Sequence, residues 1–223
     1  MSVLGLDTST SASAACVLRG DGEAFEVAPE PAALTRPAAH ARELMPAVAK
    51  AMDRAGLAYA DLAAIAVGVG PGTFTGLRIG IATARALASA GDLPLKPVSS
   101  LAALAAGIDA DLALPLIDAK RGELFAALHR AGGERVWAPF AAPPEEVAQR
   151  VRRADFSPRA AGDGSIRFRA VLESAGIRVD PDESGSHLVR ALHVCRLAAS
   201  APAAAPEAVH PNYLREPDAV PSQ

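Results

Sequence analysis

At 223 residues the chain is long for one domain and short for two, and with 50% hydrophobic residues it can bury a substantial core although only 4% are aromatic. A net charge of −3 gives no bulk electrostatic reason to expect a nucleic-acid binder. The start, Met1-Ser2-Val3-Leu4-Gly5-Leu6-Asp7, has no signal-peptide pattern, and no run is apolar enough for a membrane span. Cys16 and Cys195 sit in apolar segments without Cys-x-x-Cys spacing, as free thiols of a reducing cytosol do.

Residues 2–6 predict a first strand and Asp7-Thr8-Ser9-Thr10-Ser11 a polar turn. Residues 12–18 and 23–27, either side of Gly20-Asp21-Gly22, complete a β-meander. A loop marked by Pro29, Pro31 and Pro37 follows. Residues 40–55 predict a helix closed by Gly56, with Leu44, Val48, Ala51, Met52 and Ala55 as its apolar stripe. Pro46 predicts either a start near Leu44 or a kink. Residues 63–69 read as a short buried strand. The loop Gly70-Pro71-Gly72-Thr73-Phe74-Thr75-Gly76 then opens a helix over 77–90, with Thr75 as its expected N-cap and Gly91 closing it. Residues 95–98 predict a strand, and 99–106 a short helix capped by Ser99 or Ser100. Residues 1–106 thus form a first region of βββαβα type.

A second region, residues 107–201, opens with a strand over 112–117 that ends in Asp118-Ala119-Lys120-Arg121-Gly122-Glu123. A hairpin over 124–129 and 135–138 turns at Gly132-Gly133. Helices are expected over 143–152, 165–175 and 186–199, with a strand end or turn at Gly162-Asp163-Gly164. The Pro/Ala-rich tail, 202–223, holds an aromatic-aliphatic segment that predicts a short anchored stretch, with loose chain from Glu216 onward.

The strand–loop–helix junction at residues 70–76 leaves backbone N–H groups free at a helix start, where the dipole favours anions. It matches neither the P-loop nor the dinucleotide fingerprint, because no Lys follows its glycines and Thr75 stands where a third Gly would. Gly72, Gly76 and Gly80 are spaced by four, and Ala84 and Ala88 continue the series. Glycine costs a helix about 1 kcal/mol against alanine, so Gly80 needs a reason. Either a partner helix or anion approaches this stripe, or it packs on the chain's own sheet. Asp7 beside Thr8 and Ser9 suits a metal or phosphate, or an ordinary turn, and Asp118 poses the same choice. His40, His129, His187, His193 and His210 show no i, i+4 pair, and no Gly-x-Ser-x-Gly elbow exists.

The residues 70–80, through Leu77-Arg78-Ile79-Gly80, resemble the signature of the TsaB (YeaZ) family, with Thr73 where Ser is usual. Leu4-Gly5-Leu6-Asp7-Thr8-Ser9 resembles the family's opening strand and turn, and residues 40–46 its first helix, with Ala41 where Ser is usual. Asp118-Ala119-Lys120-Arg121 resembles its Asp-Ala-Arg-Arg segment, and Pro211-Asn212-Tyr213-Leu214-Arg215 its tail motif. The likeness is strong to about residue 125, weak to about 205, and returns at the tail.

The resemblance implies an ASKHA (actin-like ATPase) fold of two βββαβα-type subdomains, the second reduced. It implies a cytoplasmic, non-catalytic subunit that binds and activates the catalytic paralogue TsaD in threonylcarbamoyl transfer to the adenosine beside the tRNA anticodon, with the ATPase TsaE joining them. Competing readings are an ATP-dependent kinase of the same fold and a protease. Neither a catalytic residue nor a metal site is expected, since only His40 stands where the paralogue pairs histidines. Asp7, Thr8 and Ser9 are expected to be a vestigial phosphate loop. ATP or ADP is expected at most in the complex, and tRNA contact only indirectly. The expected partner surface, shared by a homodimer of the lone chain and by TsaD, comprises His40, Leu44, Val48, Ala51, Met52, Gly72, Thr75, Gly76, Leu77, Arg78, Gly80 and Ala84. Arg78 and Arg85 would rim it, and Leu77, Ile81 and Leu87 would add apolar area.

Overall fold

β1 (Ser2–Asp7) is the central strand of a five-stranded sheet in the computed structural model, which describes residues 1–214. Arg215 of the tail motif, and the stretch from Glu216, lie outside the described residues. β1 pairs antiparallel with β2 (Ala14–Leu18), Gly5 opposite Cys16, and parallel with β4 (Leu62–Gly68), Gly5 opposite Ala66. β3 (Ala24–Val27) and β5 (Leu95–Val98) complete the order β3-β2-β1-β4-β5. β4 is covered on both faces, which is why it reads as a continuous apolar run without alternation.

One face of this sheet carries α1 (His40–Ala55) and α2 (Phe74–Ala90). Leu44, Val48, Ala51 and Met52 of α1 and Ile81, Ala84 and Ala88 of α2 share a core with Leu4, Leu6, Ile65 and Val67. Burying each large aliphatic side chain contributes about 1.5–3 kcal/mol. Pro46 lies inside α1, which starts at His40 rather than Leu44. α2 starts at Phe74, and its N-cap is Thr73, with extended φ −66° and ψ 135°, so Thr75 belongs to the first turn instead of capping it. α3 (Ser100–Ala105) is capped by Ser99, whose Oγ accepts from Ala102 N at 3.3 Å.

The second lobe runs β6 (Leu112–Lys120), β7 (Glu123–Arg130), β8 (Arg135–Ala142), α4 (Pro144–Arg153), β9 (Arg159–Ala161), α5 (Asp163–Arg167), α6 (Arg169–Ser174) and β10 (Arg178–Val179). Its order, β8-β7-β6-β9-β10, repeats that of the first lobe, and the two are the paired halves of an ASKHA fold. The reduction shows as length, since all five strands are present but β9 has 3 residues and β10 has 2. The helix expected over 165–175 is broken at Phe168, where φ is −111° and ψ 24°. That expected over 186–199 is a 3-10 turn, Gly185–His187, followed by α7 (Ala191–Ala198).

α7 falls within the second region by sequence yet packs on the first sheet, with Ala191 and Cys195 against Ala14 and Cys16. Both cysteines are free and buried. Between the lobes, Leu101 and Leu104 of α3 meet Ile117, Phe125 and Val194 in a second core. The tail returns to the first lobe, where Ala204 bridges Leu95 and Val209 enters the core. No helix among the described residues is long and apolar enough to cross a membrane.

Candidate functional site

The turn after β1 is sealed by the start of α2. Thr8 donates its hydroxyl to the Gly76 carbonyl at 2.7 Å, and Thr73 N–H donates to Ser9 O at 2.7 Å. A Cβ on Gly72 would collide with Ser9, and one on Gly76 with the Thr8 carbonyl. A Cβ on Gly80 would collide with the Thr8 hydroxyl. The glycines four apart are therefore the line along which the chain's own β1 turn crosses α2. This corrects the reading of Gly76, Gly80 and Ala84 as a face open to a partner, because all three are buried.

Asp7 is 1% exposed. Its Oδ1 accepts from Ser9 N–H at 2.8 Å and Ser9 Oγ at 2.7 Å, and its Oδ2 accepts from Ser100 Oγ at 2.8 Å. Burial raises the Asp7 pKa, and the serine bonds oppose the rise. A Cβ on Gly68 would collide with Oδ2, so the carboxylate has no free side. Ser100 also accepts from Gly70 N–H at 3.2 Å, knitting the Gly70 loop, α3 and the Asp7 turn together. The sequence marked Ser100 only as a cap, and nothing local to it signals this contact with a residue 93 positions away.

The second-lobe counterpart, Asp118, is buried at the end of β6. Burial would raise its pKa, but bonds at 2.8 Å from Lys120 Nζ, Arg167 Nη1 and the Lys120 N–H hold it below the ordinary value. Asp163 Oδ1 accepts from Asp118 N–H at 3.0 Å, and burial pushes the Asp163 carboxyl up to about 6. Gly162, at φ 116°, passes so close to the Leu116 carbonyl that a Cβ would collide with it, so Gly162-Asp163-Gly164 is a packing junction. His187 is spent structurally, its Nδ1 3.0 Å from Gly162 N–H and its Nε2 3.0 Å from Pro181 O. Among the described residues no three His, Cys, Asp or Glu side chains converge as a metal site.

A cavity of about 760 Å³ opens between the lobes, lined by His40, residues 73–76, Asp118, Lys120 and Phe125. The tail closes one side of it. Asn212 N–H donates to Val69 O at 2.7 Å, and the Tyr213 ring stacks on Phe74 with centroids 5.6 Å apart. Arg78 Nε donates to Tyr213 Oη at 3.1 Å, its guanidinium 3.7 Å from the Phe74 centroid, and Arg85 donates to Glu207 O at 2.8 Å. Arg78 and Arg85 do share a face, but what they hold is the tail rather than the rim of a contact.

Of the residues expected at a partner surface, His40, Leu44, Val48, Ala51, Met52, Gly76, Leu77, Gly80 and Ala84 are buried in the chain itself, as is Ile81. The sheet takes the stripes that periodicity singles out, since α1 and α2 have no other apolar face broad enough to cover it. Thr75 and Arg78 are exposed and Gly72 is half-buried. The outward surface of the helix pair is a different set: Ala41, Met45 and Ala49 on α1, and Thr75, Ile79, Ala82, Thr83 and Ala86 on α2. Exposed Arg42 and Asp53 on α1 and Arg78 on α2 border it, and Met45 is 43% exposed.

Comparison with known proteins gives concordant results. The TsaD family, described as tRNA N6-adenosine threonylcarbamoyltransferase, matches residues 27–161. The Escherichia coli tRNA threonylcarbamoyladenosine biosynthesis protein TsaB is 29% identical over 231 residues, 96% of this chain and 95% of its own. A Mycobacterium leprae protein is 38% identical over 146 residues, 65% of this chain but 40% of its own length. The structure of YeaZ from Pseudomonas aeruginosa superposes with a TM-score of 0.78 at 30% identity, covering 96% of this chain and 99% of that one.

Proposed function

The chain belongs to the TsaB (YeaZ) family, which carries a role in tRNA threonylcarbamoyladenosine biosynthesis, and from that premise we propose that it is a non-catalytic subunit that binds and activates a TsaD-type partner. The observation that carries this reading is the set of small and apolar residues exposed on the outward side of α1 and α2, with charges at its margins. Ala41, Met45 and Ala49 recur at helical spacing on α1, as Ile79, Ala82 and Ala86 do on α2, and exposed Arg42, Asp53 and Arg78 border them. A surface of this kind marks a partner site, and two helix pairs can supply the roughly 1,600 Å² of a standard interface. A second copy of the chain would use the same surface when no TsaD-type partner is present, so the two assemblies exclude one another. The inward saturation of Asp7 supports the non-catalytic role. In this reading the protein is cytoplasmic, a TsaE-type ATPase joins at the level of the complex, and ATP or ADP binds there. The tRNA is contacted through the partner.

The test is co-purification with a TsaD-type subunit, followed by a threonylcarbamoyl-transfer assay with and without this chain. Met45→Asp combined with Ala82→Glu should leave the melting temperature unchanged and weaken the heterodimer at least about tenfold. Wild-type affinity in that variant, or transfer at full rate without the chain, overturns the reading.

A further inference from the structure

We propose that Cys16 and Cys195 are a redox-modification site, a thiol pair that hydrogen peroxide converts to a disulfide stapling α7 to β2. This goes beyond the subunit role and does not depend on it.

The two cysteines are 179 positions apart in the chain and meet where α7 crosses the first sheet. Both are free thiols, Cys16 fully buried and Cys195 1% exposed. The Cys195 sulfur lies 3.4 Å from the Cys16 carbonyl oxygen and 3.6 Å from that of Val3. A hydrogen bond between the two thiol side chains, and then burial, push the Cys195 thiol well above its ordinary range, so the sulfurs meet each other as well as the backbone. Gly5 is what lets α7 come so close. It pairs directly opposite Cys16, and a Cβ there would lie 2.5 Å from the Cys195 sulfur. Residues directly opposite on antiparallel strands point to one face, with Cβ positions about 4.5–5.5 Å apart. The Cys16 side chain therefore projects beside the place that the Cys195 sulfur fills. Ala14 and Ala191 flank the pair. A disulfide needs Cα atoms within about 7 Å and Cβ atoms about 4 Å apart, which a side-chain rotation and a slight settling of α7 on these small residues supply.

The Cys16 thiolate attacks one peroxide oxygen, the O–O bond breaks, and the departing hydroxide takes up the thiol's proton to leave as water. The Cys195 sulfur then attacks the Cys16 sulfenic sulfur, and the hydroxyl leaves as water with the Cys195 proton. The two sulfurs give up two electrons, and one peroxide becomes two waters. Both sulfurs are enclosed, so the reaction waits for α7 to lift locally. α7 has 8 residues, tied at its start by the Arg190–Glu26 ion pair and at its end by Lys96 Nζ, which donates to Ala198 O at 2.8 Å. In a reducing compartment the pair rests as thiols. Once linked, α7 is fixed to the first sheet, and with it Val194 in the core between the lobes.

The experiment treats the reduced full chain with hydrogen peroxide, alkylates the remaining thiols with N-ethylmaleimide in denaturant, and reads the intact mass and the peptide map. The wild type should lose both alkylation sites to a Cys16–Cys195 cross-link. Its unfolding rate in urea should fall at least about tenfold and recover with dithiothreitol. Cys16→Ser and Cys195→Ser should each form no internal link, and peroxide should leave their unfolding rates unchanged. The proposal is overturned if peroxide leaves both thiols open to alkylation, or if it gives sulfinic acids or intermolecular dimers instead of the internal link. It is equally overturned if cross-linking is no faster than global unfolding, or if the cross-linked chain unfolds as fast as the reduced one.

Discussion

The Thr8 hydroxyl donates to the carbonyl of Gly76 across 2.7 Å, joining the turn after β1 to a helix 68 residues later. A side chain at position 76 would displace this contact. The approach of these two backbones sets how deeply α2 sits on the sheet, and with it the place of the α2 N-terminus in the interlobe cavity.

Gly76→Ala should therefore destabilise the fold by about 1–3 kcal/mol in urea unfolding, because the added Cβ meets the Thr8 backbone carbonyl, which cannot move without shifting β1. Gly80→Ala meets only the Thr8 hydroxyl, which can rotate, and it recovers about 1 kcal/mol of helix propensity. Its net cost should be smaller than that of Gly76→Ala, and smaller still in a Thr8→Ala background. Equal costs at the two glycines would show that the Thr8 backbone is not the obstacle. Gly80→Leu, by the same reasoning, disturbs the folded monomer before it disturbs any assembly.

Asp163 makes stability depend on pH in a stated direction. Its carboxyl titrates near 3.8 when unfolded and at about 6 when folded, so the native state binds the extra proton between these values. The Asp163 contribution to stability should be greatest below pH 4 and should fall as pH rises to about 6, by on the order of 3 kcal/mol, while the lowered pKa of Asp118 acts in the opposite direction. Asp163→Asn keeps an acceptor for the Asp118 N–H and should flatten this segment of the profile. Urea melts at pH 4.5 and 7.5 for both chains measure it, and parallel profiles would refute the assignment.

The tail strap should be locally labile. Tyr213 stacks on a Phe74 that is 44% exposed, and such a contact contributes about 0.5–1.5 kcal/mol. Tyr213→Ala should speed hydrogen exchange at Asn212, whose N–H bonds Val69 O, while leaving global unfolding within about 1 kcal/mol of wild type. Val209→Asp places a charge in the first core and should lower global stability as well.

Untagged protein should carry no stoichiometric zinc or iron by elemental analysis. Calorimetry with ATP or ADP, with and without Mg²⁺, should detect no micromolar binding in the isolated chain, because Asp7 is already saturated by Ser9 and Ser100. Micromolar affinity that is lost in Asp7→Asn would contradict this account of the turn.

The sequence by itself determined the meander, the strand over Leu95–Val98, α1 with Gly56 in the left-handed conformation at its end, and the hairpin about Gly132-Gly133. These follow from local rules, where apolar period, glycine and proline act within a few residues. It also marked the four-residue glycine spacing and the loop that carries the family likeness. What that spacing serves only the tertiary structure decided. A stripe of small residues shows that some backbone comes close, and it cannot say which one; here it is the chain's own Thr8, brought in by the parallel pairing of β1 with β4. Likewise Leu44, Val48 and Met52 read as an apolar face, and only the sheet beneath them assigns that face inward and leaves Met45, Ala49 and Ala82 outside. The Cys16–Cys195 pair, the Ser100–Asp7 bond and the return of α7 to the first lobe rest on contacts between residues far apart in the chain. No local pattern encodes such contacts, because their energies depend on which surfaces the fold brings together.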